Sequence, residues 1–452
     1  MKLILSSSET EKESDYRNDK IKLMAINNKS KKFSKDSQAD VSKGKASLLS
    51  RSVLPNGVAV ITEEIPTVES FALGIFINAG SREDPYVMPG VAHLLEHAVF
   101  KKTKTRNGRQ IADDFETIGA YLNAFTAKEF TCVYIRALKE HINKGFELLS
   151  DIVINPVFTE RDLKNEKLVI SEEINIIEDD PEDVIFDFCD KLIFGNHPLS
   201  NPITGTRSSL QLITLEDLES FHKKLYKPPN ILIAGAGNLK HKNLLKEAKK
   251  YFSYIESNGN SIYRLYPNET FTLRQEINKK YNQSHIVYGR RIPGHNSDDK
   301  YPLAVLNVLL GDGMSSRLYQ KLREKTGIAY NVYSTITSLS DCGSFYIYAA
   351  ADKAKVKNLE DIIKDEITKI KEGSISKKEI NKAKELLKTS AVMELESMSA
   401  RIQILARNEF YDTPDEDIAT FLSRIDSVGT KEIRDIANNY FRVEDWNVVI
   451  FN

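Results

Sequence analysis

Two stretches of this chain follow the same order of elements, and that repetition constrains the fold more than any other feature. In the first, SVLPNGVAVITEEIP reads as a hairpin around Asn56-Gly57 and SFALGIFINAG as an apolar, alternating strand. GVAHLLEHAVF follows as a helix, and AYLNAFTAKEFTCVYIRAL as two antiparallel strands around Ala127-Lys128. In the second, HIVYGRRIP is a strand, YPLAVLNVLLGDG a helix, AYNVYSTITS and GSFYIYAAAD a strand pair, and long helices come after. A chain of 452 residues has room for two domains of about 200 residues each. The expected fold class is therefore α+β: two related domains, each a mostly antiparallel sheet packed with several helices. The expected boundaries are a catalytic domain at 49–258, a linker at 259–268 and a second domain at 269–452.

Positions 1–48 are rich in Lys, Ser, Asp and Asn with little periodic apolar content, and read as a disordered tail. MKLIL is shorter than the roughly 7–15 apolar residues of a signal-peptide core. Glu9, Glu11, Glu13 and Asp15, with Arg17 as the one Arg of this tail, run against an acid-poor mitochondrial presequence. A cytoplasmic location is expected. Lys+Arg 63 against Asp+Glu 64 gives net −1, so no global field draws the chain to nucleic acid. No apolar run reaches the ~18 residues of a membrane span. Cys132, Cys189 and Cys342 are scattered and odd in number, which suits reduced thiols.

The chemistry is concentrated in His93, Glu96 and His97, an H-x-x-E-H array on the predicted helix. At ~100° per residue, His93 and His97 lie about 40° apart and Glu96 about 60° to the other side of His93. One turn thus presents two imidazoles, which can grip a single Zn²⁺, and a carboxylate, which can accept a proton from a metal-activated water. The order is the inverse of H-E-x-x-H. A catalytic zinc site needs a third protein ligand. The helix opened by the T-x-x-D start signal of Thr159 and Asp162 offers Glu166, Glu172 and Glu173. Glu166 and Glu173 are seven positions apart and share a face to within about 20°, whereas Glu172 points about 100° away, toward solvent.

On these residues the chain resembles the inverted zincin peptidases that include pitrilysin, insulin-degrading enzyme and the mitochondrial processing peptidase. It is most similar to the short bacterial members related to the processing peptidase. The resemblance runs from about Leu49 to Asn452. It implies that Glu173 is the third zinc ligand, with one Zn²⁺ per chain, and that Glu166 supports the site from behind. It also implies that Arg323 and Tyr330, in SSRLYQKLREKTGIAY, are the pair that such peptidases carry facing the zinc across a cavity. There a Tyr hydroxyl would stabilise the developing oxyanion. Without the resemblance, the basic helix holding Arg317, Lys321, Arg323 and Lys325 reads as a solvated face. Leu122, Asn123, Ala124 and Phe125 are similar to the family's substrate-binding edge strand, to which an extended peptide adds through main-chain hydrogen bonds.

The second stretch carries none of the zinc residues. Leu303–Leu310 stands where the H-x-x-E-H helix should be. The steps that lead from Thr159 to Glu166 and Glu173 lead from Ser376 to Ala383 and Ser390. The function expected is a zinc-dependent endopeptidase that hydrolyses unfolded peptides or presequence-like segments. Its partners would be peptide substrates and a second copy of the chain, the homodimer restoring the four-domain chamber of larger relatives, with no nucleic acid and no membrane. Two other readings are a non-catalytic scaffold, like the core subunits of the respiratory cytochrome complex, and a regulatory heterodimer partner. Both typically accompany loss of zinc residues that this chain keeps.

Overall fold

Runs of β-branched and aromatic residues build two sheets, and each apolar strand run seen in the sequence finds a place in one of them. The computed structural model describes residues 48–257, 262–268, 272–279, 281–414 and 416–452. The expected tail up to position 47, and positions 259–261 of the expected linker, lie outside the described residues. The first half contains β1 (Leu48–Val53), β2 (Ala59–Glu64), β3 (Ser70–Ile77), α1 (Val91–Ala98), α2 (Gly108–Thr117), β4 (Tyr121–Thr126) and β5 (Thr131–Leu138). It continues through α3 (Ile142–Ile154), α4 (Glu160–Asp179), α5 (Pro181–Phe194), α6 (Arg207–Leu212), α7 (Leu215–Leu225), β6 (Ile231–Gly237) and α8 (His241–Phe252).

The second half starts with β7 (Arg274–Ile277), β8 (Ser284–Pro293) and α9 (Lys300–Leu310), then β9 (Ala329–Ser338) and β10 (Cys342–Ala351). It closes with α10 (Val356–Lys371), α11 (Lys377–Glu394), α12 (Met398–Phe410), α13 (Ile418–Ser427), α14 (Thr430–Tyr440) and β11 (Asn447–Phe451). The strand orders are β1-β2-β6-β3-β5-β4 and β7-β11-β8-β10-β9. With β1 set aside, the two orders are the same. In each sheet the last strand inserts beside the first one and runs parallel to it, and every other pairing is antiparallel. The fold is α+β in two related halves, and in each the hairpin partner nearest the rim, β4 or β9, is an edge strand.

The halves exchange helices. From the first half, α5 lays Val184, Ile185, Cys189 and Ile193 on Val287, Tyr346, Tyr348 and Val449 of the second sheet. From the second half, α12 lays Ile402 and Ala406 on Ala72, Phe76, Leu232 and Ala234 of the first sheet. This corrects the expectation that SFALGIFINAG alternates between a buried and an exposed face. From Phe71 onward every residue of β3 is buried, because Phe71, Leu73 and Ile75 meet the first half's own helices while Ala72 and Phe76 lie under α12. A second difference is in SSRLYQKLREKTGIAY, where Tyr319–Lys325 form a π-helix rather than a regular helical face. Its wider turns end with the Thr326 N–H reaching the Lys321 carbonyl at 3.2 Å. Among the described residues no helix is long and apolar enough to cross a membrane.

Candidate metal centre and active site

The local sequence sets α1 in place before any ligand is considered. Val91, Ala92, Leu94 and Leu95 are buried in the first core and fix which face of the helix turns inward. Gly90, at φ +100, turns the chain into the helix where a Cβ would stand 2.7 Å from the Thr204 carbonyl oxygen. The first free N–H groups are satisfied by a buried side chain: Asp84 accepts from Gly90 N at 2.6 Å and from Ala92 N at 2.8 Å. Burial pushes the Asp84 carboxyl up to about 7, against the pull of those two backbone donors.

On that anchored helix, the His93 and His97 rings stand edge to face with centroids 4.8 Å apart. α4 begins where the Thr159 hydroxyl accepts from the Asp162 N–H at 3.2 Å, as the start signal predicts, and it brings Glu173 to the two rings. Glu173 Oε2 lies 3.8 Å from His93 Nε2 and 3.9 Å from His97 Nε2. These are too long for hydrogen bonds and close to the ~3.4 Å that separates two ligands of one tetrahedral zinc. One ligand atom from each of His93, His97 and Glu173 falls within 4.8 Å of the others. Two nitrogens and a carboxylate oxygen converging in this way fit a zinc ion. Burial, and then the neighbouring His97, push His93 down to about 4, so its imidazole stays neutral and free to ligate.

Glu166 is buried behind the rings. His97 Nδ1 lies 3.3 Å from Glu166 Oε2, and Lys101 Nζ lies 2.7 Å from Glu166 Oε1. Burial works to raise the Glu166 carboxyl, but the contacts with His97 and Lys101 outweigh it and hold the group below its ordinary value. A carboxylate that takes one imidazole N–H fixes which nitrogen faces a metal. Glu172 is exposed, as the helix phase predicts. Glu96 stands beside the rings on α1, and the Thr126 hydroxyl donates to its Oε2 at 2.5 Å. Burial raises the Glu96 carboxyl, with the Thr126 bond pulling the other way.

Residues 59–207 match the family described as "Insulinase (Peptidase family M16)", and residues 212–387 match "Peptidase M16 inactive domain". YmxG of Bacillus subtilis (strain 168), named an uncharacterized zinc protease, is 33% identical over 405 residues, covering 90% of this chain and 98% of YmxG. The chain belongs to peptidase family M16. A zinc protease of Rickettsia felis, also named uncharacterized, is 33% identical over 395 residues, covering 86% of this chain and 94% of its own length. The crystal structure of a protease from Helicobacter pylori shares the fold, with a TM-score of 0.83 at 22% identity, covering 90% of this chain and all of that one.

The other expected site residues fall in two places. Leu122, Asn123, Ala124 and Phe125 lie on β4, the edge strand, ending at Thr126 beside Glu96. Arg323 and Tyr330 come together on the second half. The guanidinium sits 5.3 Å from the Tyr330 ring centre and 5.1 Å from that of Tyr319. Tyr330 is 72% exposed at the start of β9, the edge strand of its own sheet. Glu96 and His97 bond instead to Thr126 and Glu166, both in the first half. Sequence reasoning missed Thr126, Lys101 and Asp84. Lys101 had a signal, since it follows His97 by one helical step of four; Thr126 closes the strand already singled out; Asp84 had none.

Proposed function

We propose that this chain is a zinc-dependent endopeptidase acting on unfolded peptides, with His93, His97 and Glu173 as its zinc ligands. The observation that carries this reading is the convergence of three ligand atoms within 4.8 Å, with a carboxylate, Glu96, on the same helix turn. When bound, zinc supplies a Lewis acid that acidifies water toward a pKa of ~7 and polarises a carbonyl. Glu96 accepts the proton of the attacking water and passes it to the leaving amine. Glu166 holds His97 in the ligating tautomer, and Lys101 keeps Glu166 ionised. The free edge of β4 at Leu122–Phe125 receives an extended peptide as an added strand, so main-chain bonds bind it whatever its sequence. A substrate segment must be extended with its backbone groups unpaired to add in this way, which favours unfolded chains. The test is cleavage of a peptide library by zinc-loaded protein with and without chelator; a zinc-loaded chain that cleaves nothing overturns the reading.

The exposure of Tyr330 favours one further element of this reading, an active site completed across a homodimer. The Arg323–Tyr330 pair would face the zinc of the partner subunit, with the Tyr hydroxyl donating to the oxyanion. Mixing Glu96→Gln chains with Tyr330→Phe chains would then restore activity, because one site of each mixed dimer keeps both groups. Shown subunit exchange without recovered activity excludes the arrangement.

A further inference from the structure

We infer that Thr126 is a positioning residue for Glu96: its hydroxyl holds the carboxylate in the rotamer that meets the reacting water, and so ties proton transfer to the strand that binds substrate. The inference rests on the reading of Glu96 as the proton acceptor. Thr126 Oγ1 donates to Glu96 Oε2 at 2.5 Å, the short distance of a hydroxyl bonded to a carboxylate. A Glu side chain left free samples several rotamers, most of which take its oxygen away from the reacting water. Proton transfer needs its oxygen within about 2.6–3.2 Å of the water it deprotonates. A β-branched donor is suited to the task, because its own χ1 is stiff.

The donor is itself held by an anchored turn. Thr126 pairs with Thr131 at the closed end of the β4–β5 hairpin. The Ser81 N–H donates to the Ala127 carbonyl at 3.1 Å, and the Arg82 N–H to the Lys128 carbonyl at 2.7 Å. That approach is so close that a Cβ on Gly80 would lie 2.2 Å from the Ala127 oxygen. The next residue, Glu129, is 1% exposed. It accepts from Arg82 Nη1 at 2.5 Å, and from the Ser340 N–H and hydroxyl, each at 2.8 Å. Arg82 in turn forks onto Asp341, with both bonds at 2.8 Å. Ser340 and Asp341 form the β9–β10 turn of the second half. The rotamer of Glu96 is therefore referred, through Thr126 and a turn anchored by the buried Glu129, to the framework of both halves. A strand that also accepts peptide cannot drift relative to Glu96 while this bond is made.

The test is steady-state cleavage of one peptide by zinc-loaded Thr126→Val and Thr126→Ser, with zinc content and melting temperature measured on each. Valine keeps the shape and the backbone pairing but has no donor; serine keeps the donor. For Thr126→Val, kcat should fall about 10–100-fold, the usual effect of losing a group that orients a reacting residue. Its KM and zinc content should stay at the wild-type level. Thr126→Ser should recover kcat to within a few-fold. On a Glu96→Gln background, Thr126→Val should cause no further loss. Wild-type kcat in Thr126→Val, or a loss that serine does not rescue, overturns the inference. If Thr126→Val does not fold, Thr126→Ala replaces it under the same criteria. Full activity in Glu96→Gln alone would instead refute the underlying assignment of Glu96, so the two failures are told apart.

Discussion

The two halves of this molecule fold the same order of strands and spend the equivalent helices differently. α1 buries Val91, Ala92, Leu94 and Leu95 on one side and carries His93, Glu96 and His97, the candidate site residues. Its counterpart α9 buries Tyr301, Leu303, Val305, Leu306 and Val308 through Leu310, on nearly every side. α4 places Glu166 and Glu173 where α11 places Ala383 and Ser390, counting from the Thr159 and Ser376 caps. Ala383 is 1% exposed, as deeply buried as Glu166 at 4%. A buried carboxylate there requires Lys101 and His97 to offset its desolvation; a buried methyl requires nothing. Without that electrostatic support, an apolar helix is the more stable filling for the same slot. The metal centre is thus a costly local departure from a layout that the second half shows in its simpler form.

The largest effect should come from breaking the difference at one of its defining residues. Glu173→Gln should remove most zinc affinity and lower peptide cleavage at least ~10³-fold, while Ser390→Ala, at the matching step of α11, should stay within twofold. Zinc analysis and kcat/KM on both variants check this, and comparable losses in the two would undo the contrast between the halves.

A smaller, purely structural effect tests the helix exchange that makes the halves interdependent. Ile402 of α12 is fully buried against the first sheet, so Ile402→Ala should cost about 2–5 kcal/mol. Since α5 reciprocates on the second sheet, the loss should shift one common unfolding transition, read by calorimetry. Two separate transitions, with only one shifted, would show that the halves melt independently.

The smallest effect concerns how each half pins the start of its equivalent helix. Asp84 does so for α1 through backbone N–H groups, whereas Glu416 does so for α9 through side chains. Glu416 accepts from Lys300 Nζ at 2.6 Å and from the Tyr301 hydroxyl at 2.8 Å, with His295 Nε2 at 3.2 Å. Burial works to raise its carboxyl, but these neighbours together lower it from 4.5 to about 2. A folded-state value below the unfolded one gives stability that is complete above pH ~4.5 and fades as pH falls toward ~2. After allowance for partial solvent screening, the contribution is about 1–2 kcal/mol. Denaturant midpoints measured between pH 2 and 6 should therefore vary less steeply in Glu416→Gln than in the wild type. An unchanged acid slope would remove Glu416 from this role.

Much of the candidate site was legible in order and spacing, because both ligand helices carry local signals. Helical phase places His93 beside His97 and pairs Glu166 with Glu173, and the Thr159 and Ser376 caps mark where α4 and α11 begin. The phase also sets Glu172 outward, where it is found. The alternation expected for β3 failed because its second face is covered by α12, more than 300 positions later in the chain. The π-helix at Tyr319–Lys325 carries a basic pattern that reads equally well as a regular turn, since composition does not encode one extra residue per turn.

By itself, then, the sequence determined most of the elements, the repeated strand order and which helix turn carries the candidate zinc ligands, because these depend on periodicity, caps and turns within a few residues. Tertiary structure alone decided that Thr126 bonds Glu96, that Lys101 neutralises Glu166 and that α5 and α12 change places between the sheets. It also decided that Arg82 joins two equivalent hairpin turns through Glu129 and Asp341. Each of these contacts has an energy set by the distance and burial of groups far apart in the chain, and no local propensity carries that information.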